Sequence, residues 1–491
     1  MGYEHGIYVT IGPTVMPVAT IAKAGVQCVV GTAPVNVLAN PAAAVGVPIL
    51  MSDITDAVNL LGYSDQMSLD SYTIGQAIHA TFEVFNTSPL LAINVLDPAN
   101  HTTHKTSIGS MVAGSYTPGS TTPDIGILLA TLVVTNGAAT PITYHLGADY
   151  TAAFNADGSL TITQVVGGAI AGHTATIYAS YSILDPTLVM ATDIVAGIAL
   201  INRIFQAVDV IPEILIAPGW SQKPTVGAAL IAACPEVSTV FKASAILDID
   251  SVACTTITAA IAWKTTDSYI SRDAIVCFPK VQTNQGKIIW MSAMLAALMQ
   301  ATDAANESTP FVSPSNQPFN ILAAVLGDDV TQVLLTLAEA NQLNAAGIVT
   351  ALKFQGWRSW GDYTSYYSYA AEQDGTIYQP QDVFINVKRG FDWQANHFIV
   401  AYWSKIDNPG NYRLIQTLIT DENQFYNPFI TAGMVAGMSL IFNMTDNPIS
   451  QLLQGTLVMR QSMAPYIPAQ VIQNTLQYDV SMLQAALGGG S

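Results

Sequence analysis

Short apolar runs alternating with helix-length segments constrain this chain more than any single motif. Val26–Gly31, Val47–Met51, Leu90–Leu96, Ile214–Ile216, Lys242–Leu247 and Ala274–Phe278 are β-prone stretches without the polar alternation of a half-solvated strand. Strands of that kind are buried on both faces, the habit of a parallel sheet covered by helices. Helices fit between them at Asp53–Leu61, capped by Ser52 or Asp53, at Thr73–Asn86, from Lys223 to Cys234, and at Ile289–Ala304. The alternation predicts βαβ units and a mostly parallel α/β core.

That pattern breaks between His101 and Asp185. Thr, Gly, Ser and Val dominate there, and turn signals recur at Pro118-Gly119, Asn136-Gly137 and Asp157-Gly158. Leu128–Thr135, Ser159–Val165 and Thr174–Ser182 read as strands, and Asp157-Gly158 between Tyr150–Phe154 and Leu160–Thr163 reads as a hairpin. This is an all-β insertion, a sandwich or small barrel. After the Tyr- and Ser-rich loop Ser359–Pro380, helices over Gly390–Ile406 and Asn411–Met434 precede strands at Ser439–Asn443 and Gly455–Met463. The class expected is therefore multidomain, α/β and α+β, and a length of 491 residues allows two to four domains. The expected units are an N-terminal arm (1–20), the first part of the α/β core (21–98), an inserted β-sandwich (99–186), a central α/β domain (187–365), a C-terminal α+β domain (366–472) and a C-terminal arm with a flexible tail (473–491).

Charge narrows the partners. Lys and Arg number 16 and Asp and Glu 34, together 10% of the chain, where a soluble domain carries roughly 25%. Half the residues are apolar, so much of the folded surface must be amide, hydroxyl or apolar, which suits burial in an assembly. The net charge is −18, and the first 200 residues hold only Lys23 and Lys105 as cations. No basic patch for nucleic acid is visible. The longest nearly apolar runs, such as Phe429–Phe442, fall short of the roughly 20 residues a spanning helix needs, so no membrane insertion is expected. Met1-Gly-Tyr-Glu-His-Gly lacks the basic and apolar regions of a secretory signal. Cys28, Cys234, Cys254 and Cys277 are widely spaced and read as reduced core thiols.

Chemistry is sparse. No phosphate loop, dinucleotide fingerprint, HExxH or GxSxG is present, and no cofactor or metal is expected. His101 and His104 have a spacing that can converge two imidazoles, but no carboxylate or Cys lies beside them, and a polar loop is the preferred reading. Asp248 and Asp250 follow a strand, where α/β enzymes place catalytic groups, although a loop or cap role is preferred. Gly356-Trp-Arg-Ser-Trp-Gly361 reads as a packing wedge rather than a ligand platform. Lys388, Arg389 and Asp392 form the densest charge cluster, either a solvated face or an interface pair. The ends are different again. Gly6–Ile11 is β-rich, is followed by Gly12, Pro13 and Pro17, and has no partner hairpin, so it must join a sheet elsewhere.

Taken in order along the chain, several segments resemble contractile phage tail sheath proteins, the family that includes the sheaths of temperate myoviruses and of R-type tailocins. They are His5-Gly-Ile-Tyr-Val9, Gly31-Thr-Ala-Pro-Val-Asn36, Asn94-Val-Leu-Asp-Pro98, Leu146-Gly-Ala-Asp-Tyr-Thr151 with Tyr181–Pro186, and Ile214-Leu-Ile-Ala-Pro-Gly-Trp220. Leu298–Asn306 with Val312-Ser-Pro-Ser-Asn316, Asn344–Thr350, Trp357–Gly361, Phe391-Asp-Trp393 and Asn411-Tyr-Arg-Leu-Ile415 continue the likeness. Two positions depart from it: Asp362-Tyr363 stands where members often carry Asn-Arg, and Thr10 where they often carry Glu.

The resemblance implies a structural protein, not an enzyme. It implies a central α/β sheath domain, an outward β-sandwich and an inner, tube-facing C-terminal domain. Copies would stack as hexameric rings round a tail tube and contract from a metastable extended state, with tube, baseplate and tail terminator proteins as partners. The place would be the virion tail, assembled in the host cytoplasm. Strand exchange between copies would use Tyr3, Gly6, Ile7, Val9 and Ile11 of one arm (Tyr3–Ile11) and Leu476, Tyr478 and Val480 of the other (Gln473–Leu483). The acceptor sheet would be built near Ser439–Asn443 and Gly455–Met463, and Lys388, Arg389 and Asp392 are the candidates for facing the tube. Competing readings are an α/β enzyme using Asp248 and Asp250, and a static shell or surface-layer protein.

Overall fold

The computed structural model of the protein describes residues 24–119, 122–170, 172 and 174–488. At its centre lies an eight-stranded sheet. Across it the strands run in the order Trp357–Trp360, Ile348–Lys353, Ala274–Cys277, Ser244–Asp248, Ile214–Ile216, Gln27–Gly31, Leu90–Asn94, Pro48–Met51. The inner strands are parallel, and only the two edge strands run antiparallel to their neighbours. The apolar runs behave as their composition requires: Gln27–Gly31, Leu90–Asn94, Ser244–Asp248 and Ala274–Cys277 are buried at every position.

From Gln27–Gly31 the chain builds outward to Leu90–Asn94 and Pro48–Met51, then returns to Ile214–Ile216 on the other flank. Helices cover the sheet, among them Ile54–Leu61, Pro224–Ala233 and Met291–Ala305. Asp53 caps the first, its carboxylate accepting from Thr55 N (2.7 Å) and Asp56 N (3.0 Å). Met291–Ala305 is buried almost throughout its first three turns, so its mix of Ala, Leu and Met shows no polar face there. Among the described residues one helical run, Ala191–Val208, is long and apolar enough to cross a membrane. In this fold its Ile194, Ile198, Ile201 and Ile204 turn into the main core.

Two local differences from the sequence reading have physical causes. The helix expected over Thr73–Asn86 is α-helical only over Ile74–Ile78, then widens to a π-helix over His79–Val84. There His79 Nδ1 meets Glu83 at 2.6 Å and Nε2 meets Thr283 at 3.1 Å. Leu128–Thr135 is a 3₁₀ turn, Leu129–Thr131, leading into a short strand, Val133–Thr135. The Thr131 hydroxyl donates to Leu128 O and accepts from Ser182 N, both at 2.8 Å, so a side chain does the work of the missing ladder bond.

The segment between Asp97 and Asp185 forms two sheets over its own core of Tyr116, Ile127, Tyr150, Ile162, Ile177 and Tyr181. Tyr150–Phe154 and Leu160–Gln164 make the hairpin about Asp157-Gly158. A further four-stranded sheet carries Lys280–Thr283 and Ile321–Val325. The chain from Ile385 onward forms two long helices, Ile385–Tyr402 and Tyr412–Thr431, and an antiparallel hairpin, Val435–Phe442 with Met459–Pro465. These gather a third apolar cluster, with Trp393, Tyr426, Phe429 and Leu440 at its centre. The molecule is a mixed α/β protein of several units.

Candidate assembly surface

The C-terminal hairpin is a two-stranded sheet, and two strands alone are marginal in water. Packing on helix Tyr412–Thr431 holds it. Asn411 caps that helix by accepting from Leu414 N at 3.0 Å, and the helix buries Ile415, Leu418, Glu422, Tyr426 and Phe429. Beneath it Trp393 makes edge contacts with Phe311 (5.7 Å) and Phe429 (5.5 Å), and His397 stacks on Phe425 at 3.8 Å. Glu422 is fully buried and accepts from Gln394 Nε2 (2.6 Å) and Tyr426 OH (2.9 Å), while burial pushes its carboxyl above the usual range. Burial drives His397 down to about 4, so its 3.8 Å approach to Glu422 is not an ion pair at neutral pH.

One face of the hairpin rests on the helix. The other leaves Ser439, Ile441, Arg460, Ser462 and Ala464 exposed. Among the described residues no third strand joins either edge. The chain then continues from Tyr466 to Asp479 without regular structure and exposes Ile467, Val471, Ile472, Leu476 and Tyr478. Leu476 is 89% exposed and Tyr478 76%, apolar surface that the described body does not cover. Val480, 56% exposed, opens a helix over Val480–Gly488 rather than continuing an extended stretch. Within the stretch expected to exchange strands, Gln473–Leu483, the residues up to Asp479 have no regular structure and those from Val480 on are helical. Tyr3, Gly6, Ile7, Val9 and Ile11 lie outside the described residues.

Gly25, near the start of the described residues, and Tyr466, at the root of the C-terminal segment, both lie close to the first turns of helix Ile385–Tyr402. Asn386 Nδ2 donates to Phe311 O (3.0 Å) and to Tyr466 O (3.4 Å), pinning the root of the C-terminal segment. Gly25 N donates to Glu213 Oε2 at 3.1 Å, and Gly25 has φ +76° with room for no side chain. A Cβ there would sit 2.7 Å from Asp303 Oδ2 and 2.9 Å from Gln300 Cα.

Asp303 is itself paired with Arg389 through both guanidinium nitrogens, Nη1–Oδ1 at 3.1 Å and Nη2–Oδ2. Lys388 Nζ lies 2.7 Å from Asp273 and 2.6 Å from Asp392. Burial opposes the Lys388 charge, but Asp392 and Asp273 outweigh it and hold the proton on. Lys388, Arg389 and Asp392 are therefore turned inward, with Lys388 and Arg389 only 7% and 3% exposed. These are the residues expected to face a tube; in this structure their charges pair inside the chain, joining the helix to the central body.

The other candidates resolve into structure as well. Asp248 is buried and accepts from Ser221 Oγ (3.1 Å) and Ser292 N (2.8 Å), so it ties strand ends to helix Met291–Ala305. Asp250 holds a turn by accepting from Val252 N and Ala253 N. His101 Nδ1 accepts from Asp97 N at 3.0 Å, whereas His104 Nε2 meets Ser180 at 3.3 Å, so the two imidazoles do not converge. No cluster of three potential metal ligands occurs among the described residues. Trp357 Nε1 donates to Leu322 O (2.9 Å) and Arg358 to Asn316 O (3.3 Å), binding the edge strand to strand Ile321–Val325 and to the loop before it. Sequence reasoning did not single out Asn386, Glu213, Asp303 or Asn423. Of these only Glu213 carried a signal, as a carboxylate immediately before an apolar strand.

The chain matches no protein-family model. It is 26% identical to the tail sheath protein of Burkholderia phage BcepMu over 488 residues, 93% of each chain. A chain of the anti-feeding prophage baseplate shares the fold with a TM-score of 0.57 at 15% identity, covering 98% of this chain and 100% of that one. The contracted sheath complex of an extracellular contractile injection system, PVC, matches with a TM-score of 0.57 at 12% identity over 98% of this chain and 99% of the other. These relatives and neighbours are structural sheath-system proteins, not enzymes. In sequence over nearly its full length, and in fold along the same length, the chain resembles the sheath proteins of contractile tails.

Proposed function

We propose that the chain is the sheath subunit of a contractile tail or injection system. Copies stack as hexameric rings round a tail tube, linked by strands donated from their ends, and shorten from a metastable extended arrangement to drive the tube through a target envelope. The partners are further copies of the chain, the tube protein, the baseplate and the tail terminator, with no nucleic acid bound directly and no membrane insertion. Assembly takes place in the host cytoplasm and the product is a virion tail. The β-sandwich points outward and the C-terminal unit inward.

One observation carries this reading: a two-stranded hairpin that no third strand joins among the described residues, followed by an exposed segment, 467–479, without regular structure. Strand addition satisfies both, since main-chain bonds make the join and alternate side chains set the register. The contracted and extended states then differ in the contacts between bodies while the donated strands stay linked as hinges. Negative-stain microscopy of the purified chain tests it, with helical tubes expected. Removing residues 466–491, or residues 1–15, should leave a folded subunit that forms none. Normal tubes from either truncation would rule the linkage out.

A further inference from the structure

We infer that Asn423 occupies the place of a neighbouring strand on the Val435–Phe442 edge, so that a free subunit offers only the Met459–Pro465 edge to the extended segment of a second copy. The inference rests on the strand-exchange reading and specifies its order.

Leu440 N donates to Asn423 Oδ1 at 2.9 Å, and Asn423 Nδ2 donates to Leu440 O at 3.1 Å. A side-chain amide carries the same donor and acceptor as a peptide group, and here both are used against one residue. That is the pair of bonds a residue of an added antiparallel strand would make. Leu440 faces Gln461 across the hairpin, and its main-chain groups point away from that partner. Its outward pair is the middle rung of this edge, between Met438 and Phe442.

Asn423 is held in position from below. Its neighbour Glu422 is fixed by Gln394 and Tyr426, so the amide is presented by a rigid helix rather than a mobile loop. No such surrogate meets the Met459–Pro465 edge among the described residues. The occupant of that open edge is the segment 467–479 of another copy. Within one chain this segment prolongs the edge strand itself, and with Pro465 and Pro468 at the junction it runs on without a reversal. A strand arriving at Val435–Phe442 must displace both Asn423 bonds, so that edge fills second.

The experiment compares polymerisation of the full-length chain with that of Asn423→Ala and the isosteric Asn423→Leu, by light scattering and microscopy. Each is normalised to the folded fraction found by thermal melting. Freed of the surrogate, the variants should nucleate about tenfold faster, the order expected for two bonds no longer displaced. A folded variant that polymerises at the wild-type rate or slower overturns the inference and leaves Asn423 as a tie between helix and hairpin. A wild-type chain that never polymerises overturns the strand-exchange reading, a failure seen without any variant.

Discussion

Arg389 and Asp303 are 3% and 1% exposed, so each depends on the other for the solvation it lost on folding. Arg389→Met alone should cost about 3–5 kcal/mol, because it strands a buried carboxylate beside the root of the N-terminal segment. Adding Asp303→Leu should recover most of that loss, and chemical denaturation of both variants checks the contrast. Glu213 lies in the same cluster. Burial, partly offset by Arg389, raises its carboxyl from an ordinary 4.5 to about 8, and Asp362 is raised to about 8 by burial also. Both hold in the folded state a proton that the unfolded chain releases, so their stabilisation is present in acid and is lost as pH rises through about 8. His397, at about 4, titrates below the window pH 6.5–8, and Lys264, lowered to about 8, works in the opposite sense only above it. The melting temperature should fall by a few degrees from pH 6.5 to 8, and Glu213→Gln should flatten the slope. A flat wild-type profile would contradict the burial argument. Lys388 and Asp392 stand at i,i+4 and advertise their pairing, whereas Asp303 lies 86 residues from Arg389, a distance no local pattern spans.

At the scale of elements, the phase of the C-terminal hairpin makes its two kinds of position experimentally separable. Because Leu440 and Gln461 face one another with main-chain groups turned outward, Met463 shares Gln461's phase, and Ser462 points its groups into the ladder. Met463→Pro deletes an outward N–H and leaves the internal ladder intact, a substitution edge strands tolerate. Ser462→Pro cuts the ladder itself. The first should cost only the packing of the Met463 side chain on the third apolar cluster and should abolish tube formation; the second should destabilise the subunit outright. Tubes from Met463→Pro would exclude the Met459–Pro465 edge as an acceptor. This hairpin, the Asp157-Gly158 turn and the parallel strands were legible because each rests on short-range chemistry: apolar runs, a tight-turn dipeptide, β-branched residues. The helical end of the C-terminal segment was not. Val480 and Leu483 suit either conformation, and with no body to pack on, the composition of Ser481–Leu487 decides locally.

At the scale of the whole molecule, the inserted β unit is joined by two strands that leave side by side. Thr102 pairs with Leu184, and Asp185 N donates to His101 O at 2.9 Å, so entry and exit lie about 5 Å apart, as across any antiparallel pair. Its core is its own. Contacts with the central body are few in kind: Ser64 Oγ to Ala156 O (2.6 Å), Asn36 to Ile127 O (3.5 Å), His101 to Asp193 (3.5 Å), and apolar cover from Leu128 and Leu184. None reaches the C-terminal hairpin or the roots of either end. Replacing residues 102–184 with a short Gly-Ser linker should therefore preserve the eight-stranded sheet at the cost of a few degrees in melting temperature. The shortened chain should still form tubes, and these should be thinner in outer diameter with the same axial repeat, because the linkage proposed between copies runs through the C-terminal unit. If the excised chain stays folded but forms no tubes, the β unit holds neighbouring copies together, and an outward, bystander position for it is wrong.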